Sequence, residues 1–272
     1  MDGFVNLHNH SEYSLLDGFS HVDEYIHRAW SLGQDAVGLT DHGNLHGVYQ
    51  LVSRALASSH TADGNGRPQE PVYVKPIPGV EAYMAPLNPL GAKVRKPVYY
   101  GTPSQRHMDV SARGSYLHLT LLAQNDTGWH NLIKLVTAGS TPETFRQHPR
   151  IDMDMLARYA DGLIAFTGCP SGEIATRFRL GQDDKAYEYA RRMKDLFPGR
   201  YYVEVMNHRM KSDIERAVLD KLRRMSDDLA IPLVVTNDCH YAMPEDAKHQ
   251  EEMLAAQSNA SMLDAATYDG GP

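Results

Sequence analysis

The amino-acid sequence predicts an α/β fold of parallel strands alternating with helices, and two patterns predict it. Seven short apolar runs recur along the 272 residues, with stretches of helical spacing between most of them. At or just past the ends of those runs stand His, Asp, Glu and Cys side chains. Seven strands in a chain of this length favour a closed α/β barrel over a doubly wound sheet.

The first run is Val5–His10, where alternation sets Asn6, His8 and His10 on one face and Val5, Leu7 and Asn9 on the other. Two imidazoles on one face of a strand lie within reach of a common point, which suits a metal ion. A helix is predicted over Val22–Leu32, a strand over Ala36–Thr40 and a second helix over Gly43–Ala57, with Asp41 placed to cap it. Strands follow at Ile77–Tyr83 and Tyr116–Ala123, then a helix at Gly128–Ala138 and a strand at Leu163–Thr167. The series closes with helix Asp183–Phe197, strand Tyr201–Met206, helix Ser212–Leu229, strand Leu233–Asn237 and helix Glu245–Gln257. Two segments break the rhythm and read as surface loops, residues 58–71 and 86–115. The tail TYDGGP ends on turn residues, which predicts that the chain is a fragment of a longer one.

Composition narrows the classes. A net charge of −7 argues against a broadly basic nucleic-acid-binding surface, without excluding nucleic acid as a substrate. No apolar run approaches the roughly 18 residues of a membrane span, so no membrane partner is expected. Two cysteines, Cys169 and Cys239, are too few for a disulfide framework and point to a reducing, cytoplasmic setting. Alternation turns Cys239 away from its neighbours Asp238 and His240, as an inert buried thiol. The 14 histidines are the more telling count, because several stand beside Asp or Glu in short clusters.

Those clusters fall at the predicted strand ends. His8 and His10 close the first run and Asp17 follows in the next loop; Asp41 and His42 follow the second; Glu81 falls at the third. His118 lies in the fourth, Cys169 follows the fifth, and Asp238 and His240 follow the seventh. In a parallel barrel the C-terminal strand ends share one face, where active sites lie. These side chains are the ligands of zinc and its neighbours in the transition series. Any one alone has a plainer reading, such as a turn residue for Asp17 or a buried thiol for Cys169. The recurrence over six strand ends argues for metal.

The wording of the motifs resembles a known family. LHNHSEYSLLDG, LTDHGN, PGVEAY, HLTLLAQN, TGC and TNDCHY look like those of the polymerase and histidinol phosphatase (PHP) domain. PRID and YYVEVMNH are similar to the N-terminal domain of bacterial DNA polymerase III alpha subunits. The resemblance implies a single PHP domain over residues 1–272, a distorted seven-stranded (β/α) barrel with a metal cluster at the C-terminal strand ends. It implies three divalent metal ions, zinc foremost because of the thiol, with manganese or iron as alternatives. The family's ligand positions fall on His8, His10, Asp17, His42, Glu81, His118, Cys169, Asp238 and His240, every one of them of ligand type here. Some polymerases of this family have lost ligands and keep the domain as a scaffold; this sequence shows no such loss.

The activity implied is metal-dependent phosphoester hydrolysis, as a 3′→5′ proofreading exonuclease, with Asp17, Asp238 and His240 as the metal-held catalytic residues. The partners implied are the 3′ end of a DNA primer, the rest of a polymerase chain and other replisome subunits. No polymerase active site is present in these residues. Asp41 or His208, outside the ligand set, could orient a ligand or protonate the leaving oxygen, and His46 is a candidate for a similar role. Arg106 and Arg113 in the long loop are candidates for substrate phosphate. Two other functions stay open: a free-standing small-molecule phosphatase of the same superfamily, and a replicase scaffold whose metals serve structure alone.

Overall fold

A computed structural model of the chain describes residues 3–56, 74–85, 99–206 and 213–258. Two compact units make it up, one of residues 1–79 with 238–272 and one of residues 80–237. Of the expected loops, 58–71 and the first part of 86–115 lie outside the described residues, as do His208 and the tail from 259.

The first unit forms around two helices and a strand. In α1 (Val22–Ser31) the residues Val22, Tyr25, Ile26 and Ala29 recur at helical spacing and are buried. They pack with Val37 and Leu39 of β1 (Ala36–Leu39) and with Leu51 and Ala55 of α2 (Val48–Leu56). Gly33, at φ +69°, ends α1 with its amide on the Trp30 carbonyl. The predicted strand Val5–His10 runs alongside β1, with Gly38 N–H donating to Asn6 O and Thr40 N–H to Asn9 O, both at 2.9 Å. On its other side Cys239 N–H reaches His8 O at 3.1 Å, and His10 N–H reaches Cys239 O at 2.8 Å. This is a single parallel bridge, Asn9 to Cys239, and not the ladder expected. Side chains take up part of the pairing: Asn9 Nδ2 donates to Gly38 O at 2.8 Å. Gly38 is required there, because a Cβ would meet Leu7 backbone atoms at 2.6–2.8 Å.

Strand β2 (Lys75–Met84) runs through both units. Its first residues pair in parallel with β1, and Tyr83 and Met84 pair in parallel with β4 (Arg150–Ile151). The second unit continues the sheet through β3 (Leu117–Ala123), β5 (Leu163–Phe166), β6 (Tyr201–Val205) and β7 (Leu233–Val235). The strand order is β1-β2-β3-β5-β6-β7, with β4 beside β2. It is thus a mixed seven-stranded sheet with flanking helices. The expectation of parallel strands holds for every pairing with a determined register except β3–β5, which is antiparallel. The chain between those two strands passes through α3 (Asp126–Gly139), β4 and α4 (Met153–Arg158). No single crossover helix links them, so the parallel arrangement that such a crossover imposes lapses.

The remaining helices are α5 (Glu173–Arg179), α6 (Asp183–Leu196), α7 (Asp213–Leu229) and α8 (Ala247–Ser258). α6 buries Ala186, Ala190 and Met193, and α7 buries Val218, Leu222 and Met225, in each case a one-sided stripe. Neither β4 nor the short α4 and α5 is visible in the sequence, being two to seven residues long. The described part of the long loop carries a 3-10 turn (Pro103–Met108) and is pinned to α5. Tyr100 donates its hydroxyl to Glu173 at 2.6 Å, and the Arg177 guanidinium lies 3.7 Å over the Tyr100 ring. No helix among the described residues is long and apolar enough to cross a membrane.

Candidate metal centre

The nine predicted ligands can be described as three sets of three linked by contacts of 2.8–3.4 Å. Two sets belong to the first unit. His8 Nε2 and His10 Nε2 lie 3.1 Å apart, and Asp238 Oδ1 is 3.3 Å from the first and 3.1 Å from the second. Both imidazoles are fully buried. They reach a common point because residues 8 and 10 share a face of the extended N-terminal segment. Asp238 arrives on the chain that bridges that segment, at φ +50°, a left-handed conformation that Asp tolerates better than most residues.

The second set centres on Asp17. Its Oδ2 is 2.8 Å from His42 Nε2 and 3.2 Å from His240 Nε2. Asp17 sits in a tight turn, its amide and that of Gly18 both donating to Ser14 O. Burial acts to raise the Asp17 carboxyl, but the hydrogen bonds from His240 and His42, with their charge, outweigh it and hold the group well below the usual carboxylate range. Burial likewise acts to lower His240, and the charge of Asp238 with the bond to Asp17 prevails and raises it.

The third set lies in the second unit. His118 Nδ1, on β3, is 3.2 Å from Glu81 Oε2 on β2 and 3.4 Å from Cys169 Sγ just past β5. Here sheet geometry does the positioning, and Gly168, at φ +89°, turns the chain off β5 so that Cys169 follows.

Three donor atoms with edges of 3.1–3.3 Å, as in the His8–His10–Asp238 set, have the spacing expected of atoms sharing one ion at about 2.0–2.2 Å. The donor chemistry fits divalent metal: imidazole, carboxylate and, once, a thiol. His10, His42 and His240 also present nitrogens near one another, with the His10 ring stacked on His42 at 4.1 Å and on His240 at 4.5 Å.

Other expected residues fall elsewhere. Asp41 caps no helix, since α2 begins at Val48; its carboxylate accepts from Ser11 N at 2.7 Å, Ser11 Oγ at 2.9–3.0 Å and Ser14 Oγ at 2.8 Å. Burial raises this carboxyl against the opposing pull of those bonds. His46 is exposed, its ring edge-on to Tyr13 at 6.3 Å. Arg106 lies 4.7 Å over the Tyr99 ring. Cys239 turns aside as expected, its sulfur accepting from Asn6 Nδ2 at 3.2 Å and burial pushing the thiol up. Sequence reasoning missed Ser11 and Ser14, since serines in a loop carry no ligand signal, and also Glu204. That buried carboxylate on β6 accepts from Thr236 Oγ1 at 2.7 Å and Thr120 Oγ1 at 3.2 Å.

An α/β sheet with three sets of metal-type donors at and beyond its strand ends defines a domain able to hold divalent metal ions. The chain belongs to the PHP domain family, whose pattern it matches over residues 6–208. The DNA polymerase III subunit alpha of Mycobacterium tuberculosis is 40% identical over 262 residues, covering 96% of this chain and 20% of that protein. The subunit of the same name from Saccharopolyspora erythraea is 38% identical over 277 residues, covering 98% and 21%. The chain thus spans about a fifth of the length of the curated relatives it matches. A solved amidohydrolase from Chromobacterium violaceum aligns over 90% of this chain and 89% of its own at 14% identity, with a TM-score of 0.46.

Proposed function

We propose that residues 1–272 act as one PHP domain, a metal-dependent phosphoester hydrolase that removes nucleotides from the 3′ end of a DNA primer for a replicative polymerase. The three close edges among His8, His10 and Asp238, with every other ligand-type side chain within 3.4 Å of another, carry this reading. A purely structural zinc site needs four ligands and no more. The relatives' name supports DNA, the remainder of a polymerase chain and replisome subunits as partners, and with them a cytoplasmic location. Cys169 favours zinc, while the imidazole and carboxylate donors also suit manganese or iron.

A divalent metal held by these residues would supply Lewis acidity and would lower the pKa of water toward neutrality. The chain's own part is placement and charge. Asp17, Asp238 and His240 hold the reacting centre in this reading. Asp17 sets its carboxylate between His42 Nε2 and His240 Nε2, at 2.8 and 3.2 Å, where the three could hold one ion. His8 and His10, buried and shielded from solvent, keep their geometry through the backbone bridge to Cys239.

The test pairs elemental analysis of the purified chain with a nuclease assay on a 3′-labelled, mispaired primer. The expected result is more than one transition metal per chain and release of the 3′ nucleotide. One ion or fewer would overturn the three-ion reading. Full metal content without hydrolysis of DNA would move the assignment to a small phosphoester substrate or to a scaffold.

A further inference from the structure

Ser14 Oγ stands at a junction of three groups. It is 2.8 Å from Asp41 Oδ1, 3.1 Å from the backbone nitrogen of His42 and 3.1 Å from His10 Nδ1. A hydroxyl has one hydrogen to donate and two lone pairs to accept with. The His42 N–H can only donate, and it uses one lone pair. An Asp41 carboxylate can only accept, and it takes the hydroxyl hydrogen. The other lone pair of Ser14 is left for His10, so His10 Nδ1 must carry the hydrogen. A neutral imidazole protonated at Nδ1 has its free lone pair on Nε2. Nε2 is the His10 atom that faces His8 Nε2 and Asp238 Oδ1.

We propose that Asp41, acting through Ser14, is a positioning residue that holds His10 in its Nδ1–H form and so presents the Nε2 lone pair to a divalent metal. The inference rests on the reading that His8, His10 and Asp238 share an ion. Ser11, Ser14, His10 and Asp41 are all at most 2% exposed, so water has little access to replace a missing link. Ser11 completes the device: its hydroxyl donates to Asp41 Oδ2 at 2.9 Å and its amide to Oδ1 at 2.7 Å, which fixes the carboxylate with Oδ1 shared between Ser11 N–H and Ser14. This arrangement extends the common pattern in which a ligating histidine gives its other N–H to a carboxylate, here with a hydroxyl interposed.

Three substitutions separate the roles. Ser14→Ala removes the acceptor for His10 Nδ1, and zinc affinity should fall about tenfold, the lower end of the effect of losing such a partner. Asp41→Ala frees the Ser14 hydrogen to turn toward His10, which favours the Nε2–H form and should weaken zinc about 100-fold. Asp41→Asn can keep an oxygen at the Oδ1 position and should stay near the parent. Affinity is read by competition with a chromogenic chelator. The tautomer is read from nitrogen-15 shifts of the His10 ring in metal-free protein, and thermal melts confirm folding. If Asp41→Ala does not fold, Ser14→Ala carries the test through the same two readouts.

A His10 Nδ1 that carries no hydrogen in the metal-free parent would overturn the inference. So would parental affinity and an unchanged tautomer in both Ser14→Ala and Asp41→Ala. A parent that binds no zinc yet shows the predicted tautomers would instead overturn the metal reading and leave the hydrogen-bond relay standing.

Discussion

The two units hold their metal-type side chains in different ways. In the first unit, six donors come from turns and chain segments outside the regular strands: His8, His10 and Asp17 near the start, His42 after β1, and Asp238 and His240 far along the chain. They are held by a backbone bridge between remote segments and by contacts among themselves. In the second unit, Glu81 and His118 sit within β2 and β3, and Cys169 follows β5 by three residues. Their spacing comes from a hydrogen-bonded sheet with an apolar core around it, including Val80, Leu117, Leu119 and Phe166. The first unit's two sets rest on turns, one backbone bridge and their own mutual contacts, whereas the second unit's set rests on paired strands. Metal should therefore matter more to the order of the first unit than to that of the second.

The largest expected effect breaks the first unit's sets. Asp17→Asn and Asp238→Asn should each lower primer hydrolysis by on the order of 100-fold or more, because a shift of about 1 Å at a reacting centre has that cost. Asn keeps the shape of Asp, creates no cavity and tolerates the left-handed backbone at position 238. Loss of activity with an unchanged far-ultraviolet spectrum is the expected outcome. Parental rates in both variants would assign any hydrolysis to another site.

How far the sequence foretold this differs between the units for the same reason. The clusters of metal-type side chains were legible in both units, because His, Asp, Glu and Cys recur at the ends of the apolar runs. In the second unit the run ends were strand ends, and Glu81 and His118 stand where alternation and apolar runs put them. In the first unit the expected strand Val5–His10 proved to be one bridge, since the Asn9 side-chain amide engages the Gly38 and Asn6 carbonyls that a ladder would use. The antiparallel β3–β5 pairing was hidden because direction depends on the route of the intervening chain, which includes a two-residue strand. Asp41 was legible as a residue that could orient a ligand, but its partners Ser11 and Ser14 were hidden because hydroxyls in a loop look alike until tertiary packing selects one.

Metal removal is the next test in size. Binding to the native state alone adds RT ln(1 + [L]/Kd), about 2.7 kcal/mol per site at 100 times Kd, so a strong chelator should lower the melting temperature by several degrees. Hydrogen exchange sharpens the comparison. Amides of residues 5–18 and 239–242 should lose protection on chelation, while those of β3, β5 and β6 change little. Uniform loss over both units would mean that metal supports the whole fold alike.

A smaller effect comes from Cys169→Ser. The hydroxyl is a far weaker ligand for zinc than the thiolate, so metal content should fall by about one ion per chain while the first unit's sets stay filled. The residue is buried and nearly isosteric with its replacement, so the melting temperature of the chelated protein should match the chelated parent. Loss of all metal in this variant would show that the sets fill cooperatively and not independently.

The smallest expected effect lies on the surface of the second unit, at Asp183→Asn. Asp183 opens α6 and its Oδ1 receives Lys221 Nζ from α7 at 2.6 Å, with the two side chains 50% and 33% exposed. Solvent and salt screen such a pair, and its worth is within about 1 kcal/mol. Part of that survives, since Asn can still accept from the ammonium and Lys221 also reaches Phe178 O at 3.3 Å. The lost negative charge at the start of α6 costs a few tenths of a kcal/mol more, against a favourable helix dipole. The buried stripe of Ala186, Ala190 and Met193 is untouched, so the helix stays seated. Metal content and primer hydrolysis should equal the parent's, with a melting shift of a degree or two that shrinks further at high salt. A fall in metal content here would mean that the second unit's donors depend on surface helices as well as on the sheet, and the contrast drawn between the two units would fail.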